Sequence, residues 1–296
     1  MKKLLLILLC LPIIGFGQTL IPDANFEQAL INLGYDTGIP NGEVPTANID
    51  TITSLYIGGQ NIADLTGIED FTALTYLNCS ENQLTSLDVG QNTALTDLRC
   101  YINQIISLDV SQNMALTNLS VSDNQLTSLD VSQNIALTGL GCAKNQLTSL
   151  DLSQNIALIG LICGEPLGSG GNLLTSLDVS QNTALTSLWC NNNLLTSLDV
   201  RNGNNSLLDT NFFCTGNPNL TCIDVDDASW STANWQSIDT QHYFSTNCSG
   251  TSIQEHTTNK ELLKVTDLLG RETKQTNQPL FYIYDDGTVE KRIVIE

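Results

Sequence analysis

Seven aspartates, Asp88, Asp109, Asp130, Asp151, Asp178, Asp199 and Asp224, recur along the middle of the sequence, each flanked by apolar residues in an LDV-like triplet. Four of the six intervals between them are 21 residues. Carboxylates stacked side by side repel, which raises their proton affinity or recruits a cation such as calcium, and neighbouring Ser and Thr hydroxyls supply further oxygen. The competing expectation is a solvated row bonded to those hydroxyls. A second column holds Cys79, Cys100, Cys142, Cys163, Cys190 and Cys214, with Val121 in register. Valine replaces a thiol in packing but not in a disulfide or a metal site, so these cysteines are expected to be free, buried and apolar in role. His242 and His256 have neither a paired nucleophile nor metal-ligand spacing. The glycines of GEPLGSGG lack the lysine and the strand-to-helix context of a phosphate loop. The expectation is therefore a non-enzymatic chain with no cofactor and no metal.

The columns exist because one stretch keeps returning, as in LTYLNCSENQLTSLDVGQNTA from Leu74 to Ala94. A fixed short period implies a solenoid, in which no turn can bury its apolar face alone. Leu77 and Cys79 are two residues apart and face the core of a strand, while Tyr76, Asn78 and Ser80 face solvent. Three residues after the Cys column come Asn82, Asn103, Asn124, Asn145, Asn172, Asn193 and Asn217, expected to form a ladder of side-chain amides that satisfies buried peptide groups. LTSLDVSQN shows no helical spacing and reads as a second short parallel strand, giving a flattened coil with two sheets.

The pattern L-x-x-L-x-C-x-x-N-x-L, running from about Ile52 to Val225, resembles the leucine-rich repeat, with Cys where that family usually has Leu. The fold expected is a β-rich leucine-rich-repeat solenoid of short parallel strands and 21-residue turns, with an N-terminal helical cap and a small C-terminal β domain. Along the outward position before Cys, the residue changes from turn to turn: Asn78, Arg99, Ser120, Gly141, Ile162, Trp189 and Phe213. The LDV face barely changes. Recognition is expected on the variable face, through Tyr76, Asn78, Asp97, Arg99, Tyr101, Ile162, Trp189 and Phe213, because exposed aromatic and aliphatic groups call for a partner.

Charge narrows the partners. The net charge is −20, with only 11 Lys and Arg against 31 Asp and Glu, so nucleic acid and anionic membranes are disfavoured. Residues 1–17 read as a secretory signal: Lys2 and Lys3, an apolar run too short to span a bilayer, and small Gly15 and Gly17 before cleavage at Gln18. Residues 18–51 form a cap, with Phe26, Ala29, Leu30 and Leu33 at helical spacing and Gly34 as the stop. Residues 52–225 are the solenoid. In 226–250 the aromatics Trp230, Trp235, Tyr243 and Phe244 are expected to close the last turn, and Cys222, on an outward column, is expected to bond to Cys248. Six extra residues within GEPLGSGG and a shorter insertion near Asn202 to Asn205 mark loops.

The remaining residues, 251–296, read as a linker and a module of strands around tight turns. Through DLLGRE, YDDGTVEKR and the final apolar strand this module resembles the C-terminal sorting domain of the type IX secretion pathway of Bacteroidetes, without its proline-asparagine-proline opening. The resemblance implies export by that secretion machinery, commonly with loss of the domain, to a secreted or outer-membrane surface location. The expected role is binding of an extracellular protein or glycan. The alternative is a structural adhesion spacer with no discrete site.

Overall fold

The computed structural model describes residues 17–165, 170–248, 262–266, 272, 279–284 and 289–293. Apart from Gly17, the expected signal segment lies outside these residues, as do the middle of the glycine-rich insertion and His256. The chain divides into two compact units, Met1–Cys248 and Ser249–Glu296.

The first unit begins with a cap in which β1 (Gln18–Leu20) pairs antiparallel with β2 (Glu43–Pro45) around α1 (Ala24–Asn32). Asp23 caps α1, accepting from the backbone N–H of Asn25 (2.8 Å) and Phe26 (3.0 Å). Its other oxygen accepts from Ala63 (2.7 Å) and Asp64 (3.0 Å), so one carboxylate both starts the helix and seats it on the first turn. Gly34, at φ +82°, ends the helix where a Cβ would be strained. Phe26 stacks on Phe71 at 6.2 Å. Glu27 is buried, and its carboxylate accepts from the N–H of Asn41 (2.6 Å) and Gly42 (2.7 Å), which offsets its desolvation.

The solenoid strands follow in chain order: β3 (Ser54–Tyr56), β4 (Tyr76–Asn78), β5 (Asp97–Arg99), β6 (Asn118–Ser120), β7 (Gly139–Gly141), β8 (Gly160–Ile162), β9 (Ser176–Asp178), β10 (Ser187–Trp189) and β11 (Ser197–Asp199). After a helical turn α2 (Asn205–Leu208) come β12 (Phe212–Phe213), β13 (Cys222–Asp224), α3 (Ala228–Asn234) and β14 (Tyr243–Ser245). Among the described residues, β3 to β8, β10 and β12 form one eight-stranded parallel sheet. Its register stacks Leu55, Leu77, Leu98, Leu119, Leu140, Leu161, Leu188 and Phe212 in one buried column. A side chain of that size contributes about 1.5 to 3 kcal/mol when fully buried, and only stacking provides the burial.

The second sheet departs from the expectation of a strand in every half-turn. Only β9, β11, β13 and β14 pair there. In the earlier turns Leu84, Leu87 and Val89 are buried, but Thr85 and Ser86 are both exposed, so strict alternation lasts only from Leu87 to Val89. Late turns are joined by backbone bonds such as Val179 N–H to Asp199 (2.9 Å) and Val200 N–H to Asp224 (2.8 Å). The Val89 carbonyl of an early turn accepts from the side chain of Asn113 (3.0 Å).

Two asparagine ladders hold the turns together. In the first, Asn124 donates to the carbonyls of Cys100 (3.0 Å) and Val121 (3.0 Å) and accepts from Ile105 N–H (3.0 Å). Asn82, Asn103, Asn145, Asn172, Asn193 and Asn217 repeat this scheme. The residue before the ladder asparagine is left-handed in successive turns, including Glu81 (φ 57°), Ile102 (φ 53°) and Lys144 (φ 52°). The second ladder, Asn92, Asn113, Asn134, Asn155 and Asn182, is wholly buried at the opposite corner. Each of its amides donates to two carbonyls of the preceding turn, as Asn134 does to Val110 and Asn113 at 2.9 Å.

The six column cysteines are free and buried, and Val121 packs in line with them. Burial pushes the thiols of Cys100 and Cys142 up to about 12, and those of Cys79 and Cys163 well above their ordinary value. For Cys190 a hydrogen bond to Cys214 acts with burial in the same direction. Cys222 and Cys248 form a disulfide that closes the C-terminal end. There Trp235 is buried against Phe212 at 4.1 Å, with Trp230 and Phe244 edge-on. Tyr243, expected to help close this end, is 51% exposed because its position in β14 faces outward. The insertion at Asn202–Asn205 is knitted into the coil, with Asn205 donating to Val200 and accepting from Asp226. At the foot of the longer insertion, a Cβ on Gly164 or Gly171 would fall within 2 Å of the Asn191 or Asn192 backbone, so close approach requires glycine at both positions.

In the second unit β15 (Leu262–Thr266), β16 (Pro279–Tyr284) and β17 (Val289–Ile293) form an antiparallel sheet. Most of the DLLGRE motif and the turn of YDDGTVEKR lie outside the described residues.

Three outcomes follow from this packing. Asn124→Ala should lower unfolding free energy by about 3 kcal/mol, since it leaves buried carbonyls and an N–H unpaired; urea titration of both proteins checks it. Ile102→Asn should raise stability by about 1 kcal/mol in the same assay, because a β-branched residue is strained at this left-handed position. Alkylation of the native, unreduced protein at pH 8 should leave all six column thiols unmodified, with full labelling only after unfolding.

Candidate recognition surface

Two outward rows lie on the large sheet. Register places Ser54, Tyr76, Asp97, Asn118, Gly139, Gly160 and Ser187 in one row. The other holds Tyr56, Asn78, Arg99, Ser120, Gly141, Ile162, Trp189 and Phe213. Near the N-terminal end the rings of Tyr56 and Tyr76 lie 4.6 Å apart, and the Arg99 guanidinium sits 5.3 Å from the Tyr76 ring. Arg99 grips Asp97 with two bonds of 3.0 Å, and this pairing raises the arginine's proton affinity further. Partial burial raises the Tyr76 hydroxyl, opposed by the charge of Arg99. Asn78 turns back to accept from the N–H (3.1 Å) and hydroxyl (2.6 Å) of Ser80.

Towards the other end Trp189 meets Phe213 edge-on at 5.1 Å. Both are half-buried rather than fully exposed, because each shields the other, whereas Ile162 remains 38% exposed. The Trp189 indole N–H is closed off from solvent and meets no acceptor among the described residues. Between the aromatic pairs runs an open trough of about 340 Å³, bordered by Asp97, Arg99 and Tyr101 on one side and by Ile162 and Ser187 on the other. Its floor is Asn118, Ser120, Gly139, Gly141 and Gly160. The structure thus brings Asp97, Arg99, Tyr101 and Ile162 around one depression, with Tyr76 reached through Arg99, and Trp189 and Phe213 on the strands beyond Ile162. Asn78 does not line it. Of the floor residues, Ser120 and Gly141 were placed on the variable column from sequence, while Asn118, Gly139 and Gly160, and Tyr56 in the irregular first turn, were not singled out; the signal available was that glycine interrupts a strand at Gly139, Gly141 and Gly160.

The LDV face behaves differently. Asp88, Asp109, Asp130, Asp151 and Asp178 are exposed, and each accepts from the backbone N–H two residues later, at 2.8 to 2.9 Å. The hydrogen bonds from Ser111, Ser132 and Ser153 hold the carboxyls of Asp109, Asp130 and Asp151 below the ordinary aspartate range. The expectation of a solvated, hydrogen-bonded row therefore holds and that of an upward shift does not: a direct bond to each carboxylate outweighs repulsion between neighbours in water. At Asp199 burial acts upward, but its bonds to Arg201 prevail and the net shift is downward. Among the described residues no group of three or more His, Cys, Asp or Glu is placed to hold a metal ion. His242 is buried in the C-terminal cap, where its Nδ1 accepts from Asp239 N–H at 3.2 Å.

No protein-family model matches the chain. Internalin J of Listeria monocytogenes is 52% identical over 42 residues, which is 14% of this chain and 5% of that protein. The solved functional domain of InlJ from Listeria monocytogenes, described as including a cysteine ladder, is 34% identical with a TM-score of 0.55, over 71% of this chain and 52% of that one. A leucine-rich-repeat protein of Leptospira interrogans is 22% identical with a TM-score of 0.44, over 68% of this chain and 51% of that one. The chain thus spans about half the length of the solved InlJ domain and a small part of internalin J as a whole. No described helix is long and apolar enough to cross a membrane. From its turn length, its parallel register and the likeness to the InlJ domain, the chain has a leucine-rich-repeat solenoid fold similar to that of the functional domain of InlJ.

Proposed function

We propose that the chain is a secreted or cell-surface binding protein that recognises an extracellular protein or glycan through the variable sheet and performs no catalysis. The observation that carries this reading is the contrast between two faces of one scaffold. The Asp position of the LDV face is the same in turn after turn, and its carboxylate accepts from the backbone two residues on. The large sheet instead places Tyr, Arg, Trp and Phe, the residue types that dominate binding interfaces, at positions where folding asks only for solvent exposure. Residues 1–17 as a signal and 251–296 as a sorting module for the secretion machinery would deliver the solenoid outside the cell. The reading of 18–51 and 226–250 as caps fits two solenoid ends that would otherwise expose core edges.

The test uses a ligand captured from extracellular material. Trp189→Ala should weaken its binding by about 1 to 4 kcal/mol. The variant should still melt cooperatively, with a loss of about 1 kcal/mol from its contact with Phe213. Asp130→Asn should leave binding unchanged, with and without calcium. Full affinity in folded Trp189→Ala would remove this end of the sheet from the site, whereas failure to capture any ligand would leave the spacer alternative standing.

A further inference from the structure

We infer that the trough on the large sheet takes an uncharged linear glycan, laid across the strands between the two aromatic pairs. This deepens the sheet reading above and rests on it.

Charge is the first argument. The chain carries a net charge of −20, yet among the described residues the only ionic side chains bordering the trough, Arg99 and Asp97, are bonded to each other at 3.0 Å. No cation is left over for a phosphate, sulfate or uronate, and the field of the whole molecule repels polyanions. A basic segment fares no better, because the carboxylate it would seek is already held in both its oxygens by Arg99. The groups that remain are the amide of Asn118 and the hydroxyls of Tyr101, Ser120 and Ser187, which suit a ligand made of hydroxyls.

Shape is the second. None of Gly139, Gly141 and Gly160 has a left-handed backbone, and a Cβ on Gly160 would meet nothing within 4 Å. Neither conformation nor packing therefore requires glycine at Gly160, although glycine weakens a strand. What its absent side chain provides is room above the backbone, part of a depression of about 340 Å³.

The third is length. Tyr56 and Tyr76 stand at one end and Trp189 and Phe213 at the other, and β4 and β10 are five places apart in the sheet. At about 4.8 Å per strand that is roughly 24 Å. A compact ligand cannot touch both pairs; an extended oligosaccharide can, with the C–H faces of its rings on the aromatic faces.

The test is the full chain on a glycan array carrying uncharged linear oligosaccharides beside their uronic-acid and sulfated counterparts, followed by calorimetry with the strongest uncharged binder. Binding should be confined to uncharged chains and should increase with chain length. Gly160→Leu, whose Cβ meets nothing within 4 Å, should lower affinity about tenfold or more without lowering the melting temperature, and Trp189→Ala should weaken the binding of long chains more than of short ones. Preference for the anionic chains, or no binding to any uncharged one, overturns the inference. If the array is blank but Gly160→Leu abolishes capture of a protein partner, the glycan assignment falls and the sheet reading stands. If neither variant alters any binding, both fall.

Discussion

The structure depends on satisfying backbone groups at the corners of each turn. Strands only three residues long cannot by themselves pair every carbonyl and N–H in a coil that bends back within 21 residues, and a buried peptide group left unpaired costs about 1 to 3 kcal/mol. Asparagine solves this at two corners. The ladder through Asn82, Asn103 and Asn124 reaches both its own turn and the one before, and the ladder through Asn92, Asn113 and Asn134 ties carbonyls of preceding turns. The left-handed residues before the first ladder, and the strain at Ile102, follow from aiming each amide inward.

Once those corners are held, the two outer faces can serve different ends. Cys79 and its counterparts fill the column beside the leucines, and burial keeps their thiols protonated and inert. The LDV face bonds to itself through aspartate and the backbone two residues on, which leaves it little reason to vary. The large sheet has its backbone bonds and its core column complete without help from the outward side chains. Those positions are thus free to become a binding surface, here two aromatic pairs with a neutral trough between them.

Most of the solenoid was legible because a repeat multiplies weak signals: Leu77 alone says little, but Leu77, Leu98, Leu119 and Leu140 in step define a core column. The second sheet was over-read, since alternation at Leu87, Asp88 and Val89 does not tell whether the backbones of neighbouring turns pair there. Of the two expectations for the aspartates, the solvated, hydrogen-bonded row holds; repulsion between neighbours is visible in spacing, while the N–H of Ser132 pointing at Asp130 is a matter of turn geometry. Trp189 and Phe213 were placed on the outer face, but their mutual shielding depends on side-chain conformation. The trough escaped notice because glycine registers in a sequence as an absence, and only the sheet order sets Gly139, Gly141 and Gly160 side by side.

The central claim is that ligand meets the large sheet and not the LDV face. Backbone NMR of the full chain, titrated with the strongest uncharged oligosaccharide, tests it most directly. The account predicts shifts concentrated at Tyr76, Arg99, Asn118, Gly160 and Trp189, with Asp109, Asp130 and Asp151 unmoved. Shifts confined to the aspartate row, or spread evenly over both faces, would contradict it.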